Sequence, residues 1–321
     1  MIQNQWYAIA PSKMIKNNKV KALRRCGMDL AIFRDSDGNL GCVIDRCSHR
    51  KAALSIGKVK DNCLQCPFHG IEFDKEGKCS FIPANGSAFT KDNSRFNLES
   101  YAVREAHGII YLWYGDASDA VETLPFFSDV SDKTVYSEFA DFWPSHYSRS
   151  IENQLDVIHL PFIHHTTIGA GNKTLVNGPR VEFVNNILKT SASNEVDKGQ
   201  TPKLAAECTI SDAIFLKFIF PNIWMNHISD KIKIVIYFAP IDDDGTVLYI
   251  RFYCRISKVR VINQIIAFFG IFANRLIERQ DRRVVITQEP KVSSYKSGEK
   301  LLPGDGPIIL YRRLRDELQH K

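Results

Sequence analysis

Cys47-Ser48-His49 and Cys66-Pro67-Phe68-His69 give a C-x-H motif and a C-x2-H motif with sixteen residues between them. Two thiolates and two imidazoles on two similar loops suit a [2Fe–2S] centre in which one iron takes both cysteines and the other both histidines. Neutral imidazoles in place of two thiolates remove negative charge, so the potential of such a cluster lies well above that of an all-cysteine one. A structural Cys2His2 zinc site would use the same ligand set. Zinc sites more often pair like ligands, as C-x2-C and H-x3-5-H, whereas each pair here is mixed.

A second constellation is Asp156-x2-His159-x4-His164. On a helix expected over residues 145–158, Asp156 and His159 lie three apart and share a face, which lets the carboxylate reach the imidazole and fix its tautomer. Two histidines and one carboxylate form the facial triad of non-haem Fe(II) oxygenases, with positions left open for O2 and substrate. The third ligand must come from elsewhere. On a long helix expected over 259–288, Asp281 interrupts an uncharged stripe of Gly270, Ala273, Ile277, Val284 and Gln288, and a carboxylate on a buried face is costly unless paired or metal-bound. Asp281 is therefore the expected ligand, while Glu278 is expected to form an exposed ion pair with Arg282. His165 is an alternative to His164, which the four-residue gap favours. His107, His146, His227 and His320 have no partner spacing and read as structural or surface residues. Alone, His-x4-His beside an acid is equally well explained by ordinary histidines; its weight comes from the cysteine–histidine motifs on the same chain.

These residues need two kinds of scaffold. Short strands and turns fill the first third: residues 28–34 and 40–44 flank Asp35-Ser36-Asp37-Gly38-Asn39, a hairpin signal, and both ligand loops lie inside this all-β segment. Gly115-Asp116-Ala117-Ser118-Asp119 is a small, polar break, which sets the expected domains at 1–117 and 118–321. Beyond it, strand-like runs at 134–142, 181–190, 204–210, 213–220, 231–239 and 246–254 accompany the helices at 145–158 and 259–288 and a short one at 311–318. The fold class is α+β, with antiparallel strands and helices set to one side.

Composition narrows the function classes. Lys+Arg 42 against Asp+Glu 36 gives +6, too diffuse for nucleic-acid binding, since no basic run is interleaved with aromatics. The six cysteines outside the motifs show no disulfide spacing, and with an iron–sulfur centre they fit a cytoplasmic location. The N-terminus lacks the pattern of a secretory signal. The apolar stretch 261–272 is too short and too polar to span a membrane and is expected to be a buried helix.

With Pro67 and Gly70 beside the ligands, the chain resembles the catalytic α-subunit of Rieske non-haem iron oxygenases, in particular the short monooxygenase and demethylase branch. The likeness rests on Cys47/His49/Cys66/His69, Asn153-x2-Asp156-x2-His159-x4-His164 and Asp281-x2-Val284-Val285-x2-Gln288. It implies an all-β Rieske domain followed by a helix-grip (Bet v1/START-like) catalytic domain with an antiparallel sheet. It also implies one [2Fe–2S] cluster on Cys47, His49, Cys66 and His69, and one mononuclear Fe(II) on His159, His164 and Asp281. A head-to-tail homotrimer is implied as well, in which Asp156 bridges His159 of its own chain and His69 of the next, with Asn153 beside the ligands. The chain departs from the commoner pattern at Ile71, where tryptophan usually follows His-Gly, and at Arg50-Lys51-Ala52, which replaces Arg-Gly. Neither change removes a ligand.

The resemblance implies hydroxylation or oxidative dealkylation of a small organic substrate with O2 (EC 1.14). No dinucleotide-binding motif follows any strand, so NAD(P)H would act through a separate flavoprotein reductase, with or without a ferredoxin. The alternatives are a ring cis-dihydroxylating dioxygenase, a class commonly with longer α-subunits, and a Rieske electron carrier without oxygenase activity, against which the triad candidates argue. Phe218, Asn222, Trp224, Met225 and His227 gather near one strand end and are candidate pocket residues, although such residues are more often core.

Overall fold

In the computed structural model, which describes residues 1–320, the first third folds as ten short strands: β1 (Gln5–Pro11), β2 (Lys19–Arg25), β3 (Met28–Arg34), β4 (Leu40–Ile44), β5 (Lys58–Lys60), β6 (Cys63–Gln65), β7 (Glu72–Phe73), β8 (Cys79–Phe81), β9 (Val103–Ala106) and β10 (Ile109–Tyr114). They form antiparallel sheets ordered β1-β10-β9, β2-β3-β4 and β5-β6-β7-β8. The β3–β4 turn closes through Asp35, whose carboxylate accepts the Asn39 backbone N–H at 2.8 Å and its side-chain amide at 3.0 Å. Ala31, Phe33, Val43, Leu54, Leu64 and Phe73 pack into one core that also takes in Cys47 and Cys66.

The rest of the chain comprises β11 (Val135–Trp143), α1 (Tyr147–Leu155), α2 (Leu160–Ile163), β12 (Leu175–Val176), β13 (Val181–Val184), β14 (Ile187–Thr190), β15 (Asn194–Glu195), β16 (Phe215–Ile219), β17 (Ile223–Ser229), β18 (Ile232–Pro240), β19 (Thr246–Cys254), α3 (Arg260–Val285) and α4 (Gly306–Gln319). Its main sheet has seven antiparallel strands in the order β11-β19-β18-β17-β16-β14-β13, with α3 against β11 and β19. The chain is thus an all-β N-terminal domain followed by an α+β domain built on a large antiparallel sheet. Asn4–Leu124 forms one compact unit; Pro125–Lys321 forms the other, joined by Met1–Gln3.

Local chemistry accounts for most departures from the sequence expectations. The run 181–190 is a hairpin, because Asn185 and Asn186 adopt left-handed backbone (φ 52° and 63°) and turn the chain in two residues. Residues 204–210 contain a 3-10 turn at Ala205–Glu207 in place of a strand, and β17 was not anticipated. The helix expected over 145–158 stops at Leu155, with Asp156 extended at its C-terminus; Pro161 starts the next helix rather than ending the first. The buried stripe of α3 is Ala267, Ile271, Asn274, Glu278, Asp281 and Val285, rotated from the expected one but sharing Asp281. α3 is long and apolar enough by length and composition to cross a membrane, yet this stripe packs on the sheet. The stretch 261–272 is not buried as expected: most of its large apolar side chains face outward.

Candidate metal centres

The two ligand loops of the N-terminal unit repeat one geometry. The Cys47 N–H donates to Ala52 O at 2.8 Å and the Lys51 N–H returns to Cys47 O at 3.0 Å; the Cys66 N–H donates to Ile71 O at 2.8 Å and the Gly70 N–H returns to Cys66 O at 3.0 Å. The returning residue must be left-handed in both loops, at φ 59° for Lys51 and 73° for Gly70. Lys51 therefore does in the first loop what glycine does in the second. Both cysteines are buried, whereas His49 and His69 are exposed with ring centroids 4.6 Å apart. Burial, together with the neighbouring Cys66, pushes the Cys47 thiol up. Phe68, unremarked in the sequence, lies 3.9 Å from His69, centroid to centroid, under the Arg50 guanidinium.

In the C-terminal unit, α2 spaces two histidines. His159 stands immediately before it and His164 immediately after, with their rings 5.2 Å apart. Asp281 reaches both from α3: its Oδ1 lies 2.9 Å from His164 Nε2 and 3.5 Å from His159 Nε2. Asp156 meets His159 through a turn rather than along a helix face. Its Oδ1 accepts the Ile158 and His159 backbone N–H groups at 2.6 and 3.3 Å, and its Oδ2 lies 3.5 Å from His159 Nδ1. His164 Nδ1 is 2.8 Å from Gln280 Oε1, an acceptor that puts the proton on Nδ1 and leaves the Nε2 lone pair directed at Asp281. Gln280, adjacent to the expected ligand, was not singled out from the sequence.

Two independent family models match this chain. Residues 5–102 match the Rieske [2Fe-2S] domain and residues 143–321 the vanillate O-demethylase oxygenase C-terminal domain. The chain belongs to the Rieske oxygenase family. Among curated relatives, this Rieske oxygenase is 33% identical over 166 residues to the 4beta-methylsterol monooxygenase of Methylococcus capsulatus, which is 50% of this chain and 44% of that protein. It is 29% identical over 174 residues (53% and 48%) to the chloroacetanilide N-alkylformylase oxygenase component of Rhizorhabdus wittichii, and 29% over 170 residues (53% and 30%) to chlorophyllide a oxygenase of Oryza sativa. The chain thus spans less than half the length of each of these relatives. In fold it is similar to NdmA of Pseudomonas putida CBB5 (TM-score 0.80, 22% identity, 99% of this chain and 90% of that one) and to dicamba monooxygenase (TM-score 0.77, 18% identity, 100% and 98%).

The family implies a [2Fe–2S] cluster and a mononuclear iron, and the residues fit both. The ligand atoms of His159, His164 and Asp281 all lie within 4.8 Å of one another. Asp281 Oδ1 is buried and makes no aligned hydrogen bond despite its short distance to His164, the arrangement of lone pairs directed at a common third atom. His165 is exposed and its Nδ1 turns to Phe162 O at 3.0 Å, which leaves His164 as the histidine facing Asp281.

Glu278 departs from its expected role. It is 3% exposed on the inner face of α3, and burial, with Asp281 and Asp141 nearby, pushes its carboxyl well above the ordinary range. Arg282 reaches Asp141 at 3.4 Å instead.

A cavity of about 190 Å³ opens on the histidine–aspartate cluster, with Asn153 and Asp156 at the same end. Its walls include Ile168, Ile214, Phe215, Trp224 and Ile277. Of the five pocket candidates, only Trp224 lines it. Strand alternation turns Trp224 and Asn226 to the cavity and Met225 away. Phe218 packs on Phe220 and Tyr311, the Asn222 amide donates to Phe238 O at 2.9 Å, and His227 Nδ1 lies 3.1 Å from Ala213 O while its ring stacks on Phe215.

Proposed function

We propose that this chain is the terminal oxygenase of a multicomponent system, in which residues 1–117 carry electrons on a [2Fe–2S] cluster and residues 118–321 use them at a mononuclear Fe(II) to hydroxylate or dealkylate a small organic substrate. Cys47, His49, Cys66 and His69 hold the cluster; His159, His164 and Asp281 hold the iron, which supplies the O2 chemistry. The observation that carries the reading is the convergence of two histidines and one carboxylate at the end of an apolar cavity, on a chain that also bears the cysteine–histidine loops.

The protein's own part is to bind, orient and exclude water. Gln280 holds the His164 imidazole by its outer nitrogen, and the Asp156 carboxylate stands 3.5 Å from that of His159. Trp224 Nε1 and Asn226 Oδ1 are buried without partners beside the cavity, a donor and an acceptor for a polar group on the substrate. Among the described residues no lysine or arginine lines the cavity, so it suits a neutral, largely apolar molecule with one polar handle. The names of the relatives, a methylsterol monooxygenase and an N-alkylformylase component, point to the same kind of alkyl-group oxidation.

Electrons come from NAD(P)H through a separate flavoprotein reductase, with or without a ferredoxin, in the cytoplasm. The exposed histidine edge of the cluster site supports transfer at that edge, and we place Asp156 as the bridge from His69 of a neighbouring chain in a homotrimer to His159. Iron analysis tests the core of this reading. The expected result is one iron beyond the cluster's pair per chain, lost in His159→Ala and His164→Ala while the visible spectrum of the cluster is retained. Oxygen uptake coupled to product, with reductant supplied, completes the test. An iron content that these substitutions leave unchanged would refute the assignment.

A further inference from the structure

The outward face of α3 is built the wrong way round for a helix on a protein surface. Val261, Ile262, Ile265, Phe268, Phe269, Phe272 and Leu276 are each 45–66% exposed. At about 100° per residue they fall within roughly one third of the helix circumference, where a helix packed on a sheet ordinarily shows its polar side. Residues 261–274 include no charged side chain. Contiguous apolar surface of this kind marks an interaction site.

Charge identifies the partner. Arg255, Lys258 and Arg260 are exposed at the N-terminal end of the apolar stripe, where an open cleft also takes in Lys133 and no acidic side chain. Arg275, Arg279 and Arg283 are exposed at the other end. The sequence has no acidic residue between Asp244 and Glu278, and both Glu278 and Asp281 face inward. Aromatic and aliphatic side chains in the middle and cations at both ends match the layering of an anionic membrane surface, with an acyl boundary below charged headgroups. A two-fold contact between copies along this helix fits less well, because it would set one cationic end against the other.

We propose that this face of α3 docks peripherally on an anionic phospholipid bilayer, the apolar stripe entering the headgroup boundary and the flanking Lys and Arg side chains meeting lipid phosphates. The helix stays folded on the sheet through its buried stripe and does not span the membrane. Asp281 lies on the buried face of α3, opposite the exposed stripe, so the docking residues do not include the metal centre.

Vesicle co-sedimentation of the full-length holoenzyme tests this. The expected result is binding to phosphatidylcholine vesicles containing phosphatidylglycerol, release by salt, and little binding to pure phosphatidylcholine. Phe269→Asp and Phe272→Asp should each lower partitioning about tenfold to hundredfold, and Lys258→Ala and Arg260→Ala about fivefold each. All four side chains are exposed, so unfolding temperature and iron content should not change. Absence of binding, equal binding to both vesicle types, or binding indifferent to the four substitutions would overturn the proposal. So would a change in sedimentation mass without lipid in Phe269→Asp, which would make the face a contact between copies.

Discussion

His146 caps the start of α1 through Nδ1, which accepts the Ser148 N–H at 3.3 Å and so must be unprotonated. Burial, reinforced by the nearby Arg315 and Arg149, depresses its pKa to about 3. In the unfolded chain the same imidazole takes a proton below about pH 6.5, so the stability it confers is full above that value and is lost as the pH falls toward 3. At pH 5 the loss is about 2 kcal/mol. Urea unfolding of the wild type at pH 7 and pH 5 should show this decrement, and His146→Asn, which keeps a cap without a titrating group, should shrink it; an equal decrement in both would assign it to other groups. Gln280 sits at the same scale. Removing the acceptor for His164 Nδ1 in Gln280→Leu should weaken iron binding about 10- to 100-fold, as read by iron retention against a chelator, while the cluster spectrum persists. The candidate cysteines and histidines stood out in the sequence because the proposed chemistry constrains their spacing, and Asp281 because an acid on an apolar helix face needs a partner. Gln280 was not, because an outer hydrogen bond imposes no spacing rule.

Elements carried a different share of the signal. Alternation and turn residues located β3, β4, β18 and β19 closely, since each strand is bounded by a turn with its own chemistry. β17 escaped because polar and apolar residues are mixed on both of its faces (Ile223, Met225, His227 and Ser229 on one, Trp224, Asn226 and Ile228 on the other), so it shows no period-2 alternation. The face of α3 was misread for a related reason: its outward side is as apolar as its inward side, so the moment of the pattern could not point to the sheet. What fixes the helix is contact. A Cβ on Gly270 would come within 2.8 Å of the Phe252 ring on β19, so Gly270→Ala should destabilise the protein by about 1–3 kcal/mol, measured as a lowered Tm. An unchanged Tm would mean that the ring swings away at no cost. α1 and α4 are joined by charge. Arg312 donates from Nε and Nη2 to the Glu152 carboxylate at 2.6 and 2.9 Å, both residues being 4% exposed. Arg312→Ala leaves the buried Glu152 carboxylate with Arg149 alone, at 3.2 Å, and should cost about 1–3 kcal/mol; a loss under 1 kcal/mol would show that Arg149 and entering water suffice for Glu152.

At the scale of the whole molecule, the fold class was readable because each candidate motif sits on the kind of scaffold its proposed chemistry requires, paired loops for the cysteine–histidine motifs and the flanks of a short helix for His159 and His164. The link between centres is where the residue and the assembly meet. The Asp156 carboxylate faces the imidazole of a proposed iron ligand and is also partly exposed, its side chain 26% accessible. A purely structural Asp156 would act through its two backbone hydrogen bonds to Ile158 and His159, and an asparagine carbonyl can accept both. A bridging Asp156 also needs the negative charge that pairs with protonated or ligating imidazoles on either side, which asparagine lacks. Asp156→Asn separates the two roles. The expected outcome is a retained cluster spectrum, a full iron complement and an unchanged Tm, with product formation lowered by about 10- to 100-fold, the usual cost of removing an outer partner of a metal-bound histidine. Turnover at the wild-type rate would confine Asp156 to its turn and remove the bridge, whereas loss of iron with loss of turnover would place its effect on His159 alone.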